Sequence, residues 1–257
     1  MEKKIVFFDI DGTLLDSNKT ILPSTKEAIR QLQQRGVYTA IATGRTPNMF
    51  QSIRKELNIE SYVSINGQYV IFEGLEIYTN EIETNQLGDL VEDAAIHGHE
   101  MAFYNHKHVC ATSANHPYIE DSFHSFHMNY PPNNRNFYRE NPVHQGVLFC
   151  EERDENYYET SYPNFEFVRW HNRAIDVLPK GSSKAKGIQQ FIKRAGFSVE
   201  NTFAFGDGRN DMQMLSYVGT GIAMGNAVDE LKQRADVVTK SCDEDGIVTG
   251  LKAVHLL

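Results

Sequence analysis

Short apolar runs, each followed by a polar turn and then by an apolar stripe of helical period, recur at both ends of the chain. Lys4-Ile-Val-Phe-Phe-Asp9 is an uninterrupted run of β-formers, the pattern of a strand covered on both faces in a parallel sheet. Beyond it, Ser24 and Glu27 have the spacing of a capping box, Ala28, Ile29 and Leu32 share one helical face, and Gly36 follows as a C-cap. Val37 to Ala42 predicts a second buried strand, and Met49, Phe50, Ile53 and Leu57 predict a second amphipathic helix. Tyr62 to Ile65 predicts a third strand, with Asn66-Gly67 as a tight hairpin turn. Toward the other end, Ile188, Phe191, Ile192 and Ala195 form a helical stripe closed by Gly196. Thr202 to Phe205 then reads as a strand, Met212 to Leu215 as the start of a short helix, and Gly221 to Met224 and Asp236 to Val238 as further short strands. Strands alternating with helices imply an α/β, doubly wound parallel sheet, whose ligands bind beyond the carboxyl ends of the strands.

The pattern changes over residues 83–182. A helical stripe (Leu87, Leu90, Val91, Ala94) precedes five candidate strands: Met101 to Asn105, His108 to Thr112, Val143 to Cys150, Phe165 to Trp170 and Ala174 to Leu178. They are separated by loops rich in aromatic residues, His and Asn. This texture predicts an α+β insertion at 83–182 within a core made of 1–82 and 183–257, each piece large enough to fold as a unit.

Composition narrows the function classes. With 40% hydrophobic and 23% charged residues in 257, the chain is that of a folded protein and not a disordered or fibrous one. Its formal charge of −9 provides no field for nucleic acid or anionic lipid, so neither is an expected partner. Three cysteines, Cys110, Cys150 and Cys242, are an odd number without CxxC spacing and suit reduced thiols. No signal-peptide core or long apolar span is visible, so a cytoplasmic setting is expected. Nine of the ten histidines fall between His97 and His171. They lack a carboxylate or cysteine frame, so a scattered polar surface is a simpler reading than a metal site. Among insert residues, Tyr104, Asn105 and Trp170 are candidates to face a substrate, and Cys150, with no cationic setting visible, reads as a buried small hydrophobe.

The candidate chemistry sits at strand ends. Asp9-Ile-Asp11-Gly-Thr13 places two carboxylates two residues apart before a glycine that lets the chain turn. Four fixed residues at roughly 6% each arise by chance about once per 10⁵ positions. Phe205-Gly-Asp207-Gly-Arg-Asn210-Asp211 repeats the device at another strand end. A parallel sheet brings both loops to one edge, and an oxygen-only ligand set suits Mg²⁺ better than structural calcium. For an anionic substrate, Thr43-Gly44-Arg45 offers a hydroxyl, backbone N–H groups and a guanidinium. Ser182 or Ser183 is the candidate N-cap of a helix, which puts Lys184 in its first turn, where a cation opposes the macrodipole and points to phosphate binding; Lys186 reads as surface.

In order, Asp9-x-Asp11-Gly-Thr13, Thr43-Gly44-Arg45, Lys184 and Gly206-Asp207-Gly208-x-Asn210-Asp211 resemble the four motifs of the haloacid dehalogenase superfamily of phosphatases. The long insertion, with Met224-Gly225-Asn226-Ala227 and Asp245-Gly246, resembles the Cof-like subfamily IIB, in which an α/β cap covers a Rossmann-like core. The resemblance implies that Asp9 is the nucleophile, forming an aspartyl-phosphate, and that Asp11 is the general acid and base. It implies Mg²⁺ on the Asp9 carboxylate, the Asp11 backbone carbonyl and Asp207, with Asp211 direct or through water. Thr43, Gly44, Lys184 and Asn210 would bind phosphate, and Arg45 would face a small phosphate-ester substrate. Two other readings stay open: a phosphomutase or phosphotransferase on the same fold, and a receiver-like phosphoacceptor protein.

Overall fold

The computed structural model describes residues 2–125 and 128–257; Met1, Phe126 and His127, the last one of the histidines counted above, lie outside the described residues. The chain forms two compact units, Met1–Thr79 with Ser183–Leu257, and the continuous segment Asn80–Ser182.

The first unit opens with β1 (Ile5–Phe8), every residue of it buried, then α1 (Pro23–Gln34), β2 (Tyr38–Ala42), α2 (Gln51–Leu57) and β3 (Ser61–Ser64). The capping box expected at Ser24 and Glu27 does not form. Pro23, with no N–H to satisfy and a pre-set φ, takes the first helical position. Ser24 is thereby drawn inside the helix, where its hydroxyl bonds Asp245, while Glu27 accepts from Arg30 and Gln31. Gly36 does end the helix with a positive φ of 76°. The hairpin at Asn66-Gly67 is wider than a two-residue turn, because Ile65 and Asn66 both adopt left-handed φ (51° and 50°). It pairs β3 antiparallel with β4 (Tyr69–Phe72), which leads into β5 (Leu75–Thr79). Neither β4 nor β5 is foreseen in the sequence; Leu75, at 72% exposure, shows why an edge strand gives no buried run.

The second unit runs through α3 (Thr84–Ile96), β6 (Glu100–Tyr104), β7 (Val109–Ala111), α4 (Pro117–Ser125), α5 (Phe137–Glu140), β8 (Gln145–Phe149), α6 (Glu152–Ser161), β9 (Phe165–His171) and β10 (Ala174–Pro179). Its five strands form an antiparallel sheet in the order β7-β6-β8-β10-β9. On one face, Leu87, Leu90, Val91 and Tyr158 pack against Met101, Phe103, Leu148, Ile175 and Val177. On the other, Ile119 and Phe123 of α4 cover Ala102, Val147, Phe149 and Ala174. The five strands match the sequence expectation, whereas α4, α5 and α6 are not anticipated.

The chain then returns to the first unit as α7 (Lys184–Ala195), β11 (Thr202–Gly206), α8 (Met212–Tyr217), β12 (Thr220–Ala223), α9 (Asp229–Lys232), β13 (Val237–Val238) and α10 (Gly246–Ala253). The completed sheet has eight strands in the order β13-β12-β11-β1-β2-β3-β4-β5, parallel from β13 to β3. Val6 and Phe8 pack into one apolar cluster with Ala28, Ile29 and Leu32 of α1, and Ile5 and Phe7 into another with Ile188 and Phe191 of α7. A sheet buried on both faces needs continuous apolar strands, which is what the sequence supplies. Chain crossovers leave β1 in both directions, toward β2 and toward β11, so the topological switch point lies at its carboxyl end.

Candidate active site

Asp9 is the first residue past β1. In the sheet register Phe8 stands opposite both Phe205 and Ile41, which brings the loops after β11 and β2 alongside it. The Asp9 N–H donates to the Phe205 carbonyl (3.0 Å), extending the ladder by one bond. The turn that follows depends on Gly12, whose φ is 74° and whose missing Cβ leaves room for the Asp207 carboxylate. Thr13 then donates its hydroxyl to Asp207 Oδ1 (3.1 Å), tying the first acidic loop to the second.

A second close approach carries Lys184 into place. Ser183 caps α7 by accepting from the Lys186 N–H (3.1 Å). A Cβ on Gly67 would collide with the Ser183 carbonyl, and a Cβ on Gly187 with Val63 and the Gly67 backbone. Glycine at both positions lets the start of α7 lie against the β3–β4 hairpin. Lys184 is only 1% exposed, and its ammonium donates to Asp9 Oδ1 at 2.5 Å and Asp211 Oδ1 at 2.7 Å. A surface role for Lys184 is thereby excluded; Lys186 is exposed, as expected.

Asp211 is fully buried, and its other oxygen accepts from the Asp207 and Gly208 N–H groups, both at 3.0 Å. It organises the loop that presents Asp207. Asp9, Asp207 and Asp211 can offer carboxylate oxygens within 4.8 Å of one another. Asp11 is excluded from that group: its carboxylate is gripped by Arg45 (Nε to Oδ2 2.9 Å, Nη2 to Oδ1 2.7 Å) and by Lys19 (3.2 Å). A cleft of about 230 Å³ is lined by Asp9, Asp11, Thr43, Gly44, Arg45, Asp207, Gly208 and Asn210. Lys184 and Asp211 are not in its wall.

These residues fall within the 6–251 segment that matches the model of the haloacid dehalogenase-like hydrolases. The chain belongs to that family. It is 44% identical over 257 residues to YkrA of Bacillus subtilis (strain 168), with the whole of both chains aligned. The crystal structure of a hypothetical protein from Geobacillus kaustophilus HTA426 matches with a TM-score of 0.96 at 48% identity, covering 99% of this chain and 100% of that one. The HAD subclass IIB sugar phosphatase BT4131 matches with a TM-score of 0.84 at 31% identity, covering 99% and 100%. This haloacid dehalogenase-like hydrolase is of the Cof-like IIB type and acts on phosphate monoesters.

The electrostatics of the hydrolase site are divided. Burial pushes Asp9 up to about 7 against the pull of Lys184, with the Asp211 charge adding to the rise. Asp207 is pushed up to about 6, by burial first and by Asp211 second. Asp11 is also partly desolvated, yet the Arg45 and Lys19 hydrogen bonds hold its carboxyl below the ordinary range. Three crowded carboxylates, two of them raised, form an all-oxygen donor set that fits a hard divalent cation.

Thr43 is buried, and its hydroxyl accepts from the Arg45 N–H (3.1 Å), so it both caps its own turn and lines the cleft. Asn210 is exposed on the cleft wall. Asn66 is the residue the sequence reading missed as part of the site. Its N–H donates to the Thr43 carbonyl (3.2 Å), and its side-chain amide lies where a Cβ on Gly44 would reach it. The Asn-Gly pair flagged a turn, but nothing local indicated that the turn buttresses the β2 loop. Cys150 is buried as expected, but Arg169 reaches its sulfur (3.8 Å), so its setting does include a cation. Burial nevertheless pushes that thiol up to about 11. Among the described residues no helix is long and apolar enough to cross a membrane.

Proposed function

We propose that this hydrolase is a Mg²⁺-dependent phosphatase of small phosphorylated metabolites, sugar phosphates or similar monoesters, working through an aspartyl-phosphate on Asp9. The carrying observation is the different treatment of two acids two residues apart: Asp9 is aligned by a buried lysine, and Asp11 is held by an arginine at the cleft wall.

In this reading the Asp9 carboxylate attacks phosphorus in line, and the bond from phosphorus to the leaving oxygen breaks as Asp11 delivers a proton to that oxygen. Asp11 then takes a proton from water, which attacks phosphorus and releases Asp9. The Lys184 ammonium keeps Asp9 ionised against its burial and fixes which oxygen points into the cleft. The Thr43 hydroxyl and the backbone N–H groups after it donate to the phosphoryl oxygens, as does Asn210, which also lines the cleft. For Asp11 to act as an acid, its Arg45 pair must open when the leaving group arrives, which makes Arg45 a gate on the proton. Asp9, Asp207 and the Asp11 carbonyl would hold Mg²⁺, with Asp211 direct or through water; the ion would neutralise charge between carboxylates and phosphoryl oxygens. No acid, metal-ligand or phosphate-site candidate lies in 83–182, so that segment contributes specificity and not chemistry. A cytoplasmic setting fits such metabolites.

Phosphate release from an aryl phosphate and from a panel of sugar phosphates, with Mg²⁺ and after exhaustive chelation, tests the reading. Turnover that needs Mg²⁺ and leaves free phosphate is expected. Undiminished turnover after chelation would refute the metal assignment, and transfer to an acceptor alcohol without release to water would favour a phosphotransferase.

A further inference from the structure

The segment Met224-Gly225-Asn226-Ala227, just past β12, has no part in the proposed chemistry, yet it is tied to the acidic loops from several sides. The Met224 N–H donates to the Gly206 carbonyl (3.0 Å), the Gly225 N–H to the Lys240 carbonyl (2.9 Å) and the Val228 N–H to the Asp207 carbonyl (3.0 Å). A Cβ on Gly225 would collide with the backbone of residues 239–241, so glycine lets that stretch lie against the loop. From this held backbone Asn226 sends its side chain across to the first acidic loop. Its Nδ2 donates to the Gly12 carbonyl (2.8 Å), and its Oδ1 accepts from the Cys242 N–H (2.9 Å). One amide thus joins three loops at the carboxyl edge of the sheet.

The bond to Gly12 falls where the turn is least constrained. Gly12 has a φ of 74° and no side chain to limit rotation of its peptide. Among the described residues no backbone N–H reaches its carbonyl. On one side of it the Asp9 N–H is fixed on Phe205, and on the other the Thr13 hydroxyl is fixed on Asp207. Asp11 lies between these anchors, and its orientation follows the torsions of Gly12. Asn226 is exposed, so core packing does not account for an amide engaged at both ends. The stretch that carries Cys242 reaches the first loop a second time, as Asp243 accepts from the Ser17 N–H (2.9 Å).

We propose that Asn226 is a positioning residue: by pinning the Gly12 carbonyl it sets the Asp11 carboxyl for proton transfer to the leaving oxygen and the Asp11 carbonyl for the cation. The proposal rests on the phosphatase reading for the role of Asp11. A misplaced general acid slows a reaction most where the leaving oxygen needs the proton, so an alkyl ester feels the loss of the tether and an aryl ester feels it little. A carbonyl left free to rotate also weakens the hold on a divalent cation, as loss of an outer contact to a metal ligand does.

Two substitutions in the full-length protein separate the two bonds. Asn226→Ala removes both, whereas Asn226→Asp keeps an acceptor for the Cys242 N–H and loses the donor to Gly12. With saturating Mg²⁺, kcat/KM, which reports formation of the phosphoenzyme, should fall about 10-fold or more for glycerol phosphate in both variants. For nitrophenyl phosphate it should fall by less than about 3-fold, and Tm should stay within about 3 °C of the unsubstituted protein. Free Mn²⁺ followed by electron paramagnetic resonance, with no ester present, should show about 10-fold weaker binding to Asn226→Ala. Equal losses for the two esters, with Tm falling alongside, would reduce Asn226 to a structural role and overturn the proposal. An unaltered ester ratio in Asn226→Asp would assign the effect to Cys242 and overturn it too, as would unchanged Mn²⁺ binding in Asn226→Ala. An unsubstituted protein that releases phosphate from neither ester would refute the phosphatase reading instead, and weaker Mn²⁺ binding by Asn226→Ala would still support the tether.

Discussion

Asp9 in the first unit and Asp176 in the second are both desolvated carboxylates pushed up to about 7, yet their surroundings are opposite in kind. Asp9 shares a buried ammonium with Asp211, and Asp11 beside it is held by a guanidinium. Among the described residues, Asp176 meets only an indole N–H and an amide. The first arrangement pairs a carboxylate with a cation and aims it, as the proposed nucleophile would require. The second tolerates a proton and surrounds it with neutral hydrogen bonding. A similar displacement in pKa therefore carries different chemistry, and the partners, not the shift, tell the two apart.

Removing the buried cation should break this contrast most severely. Lys184→Met leaves Asp9 and Asp211 facing each other unpaired, and removing one partner of a buried ion pair costs about 3–5 kcal/mol. For a chain of this size that corresponds to a fall in Tm of roughly 10 °C, and phosphate release should drop at least about 10³-fold. The stability loss should shrink as pH falls toward 5, because protonating Asp9, whose carboxyl is already pushed up by burial, removes part of the uncompensated charge. Thermal melts at pH 5 and pH 8 check the sign.

Asp11→Asn should slow phosphate release from alkyl esters by roughly 10² to 10⁴. An aryl phosphate needs little protonation to depart, so the first half-reaction should suffer less with it and phosphoenzyme should accumulate. Comparing burst amplitudes for the two ester classes measures this.

A smaller effect should follow Arg45→Met. The Arg45 bonds hold the Asp11 carboxyl low, so releasing it raises the pH above which the protonated acid is lost. The alkaline limb of the kcat/KM profile for an alkyl ester, which reports the free enzyme, should move up by about one unit, while an aryl ester should show little displacement.

The smallest expected change concerns Asp176. Its folded value lies above the ordinary one of 3.8, so its contribution to stability is fully present below about pH 4 and is lost as pH rises through about 7. Asp176→Asn should raise Tm by a few degrees at pH 8 and by nothing at pH 4. Calorimetric scans across that window test it.

The two regions also differ in how far the sequence exposes them. Asp9, Asp11, Asp207 and Asp211 are legible because each pair lies within five residues and follows an apolar run that marks a strand end. Lys184 is legible for the opposite reason, as a cation where the helix dipole disfavours one. Asn66 is not, since its bond to Thr43 comes from the chain folding back through left-handed residues that include a β-branched Ile65. In the second unit the strands are readable, but the meeting of Trp170 and Gln145 at Asp176 is a product of cross-strand register, which no local pattern records. The failed capping box is a conflict between two local signals, in which Pro23 prevails over Ser24. Helix α10 passes unseen because its two glycines read as breakers; Gly250 in fact lets the helix pack closely on Phe205.

Mass spectrometry of a rapidly quenched reaction with an aryl phosphate tests the central assignment most directly. Phosphate should be found on Asp9, as an acid-stable, hydroxylamine-labile adduct, and Asp9→Asn should form none and lose turnover by at least about 10⁴-fold. Phosphate on Asp11, or turnover surviving in Asp9→Asn, would contradict it.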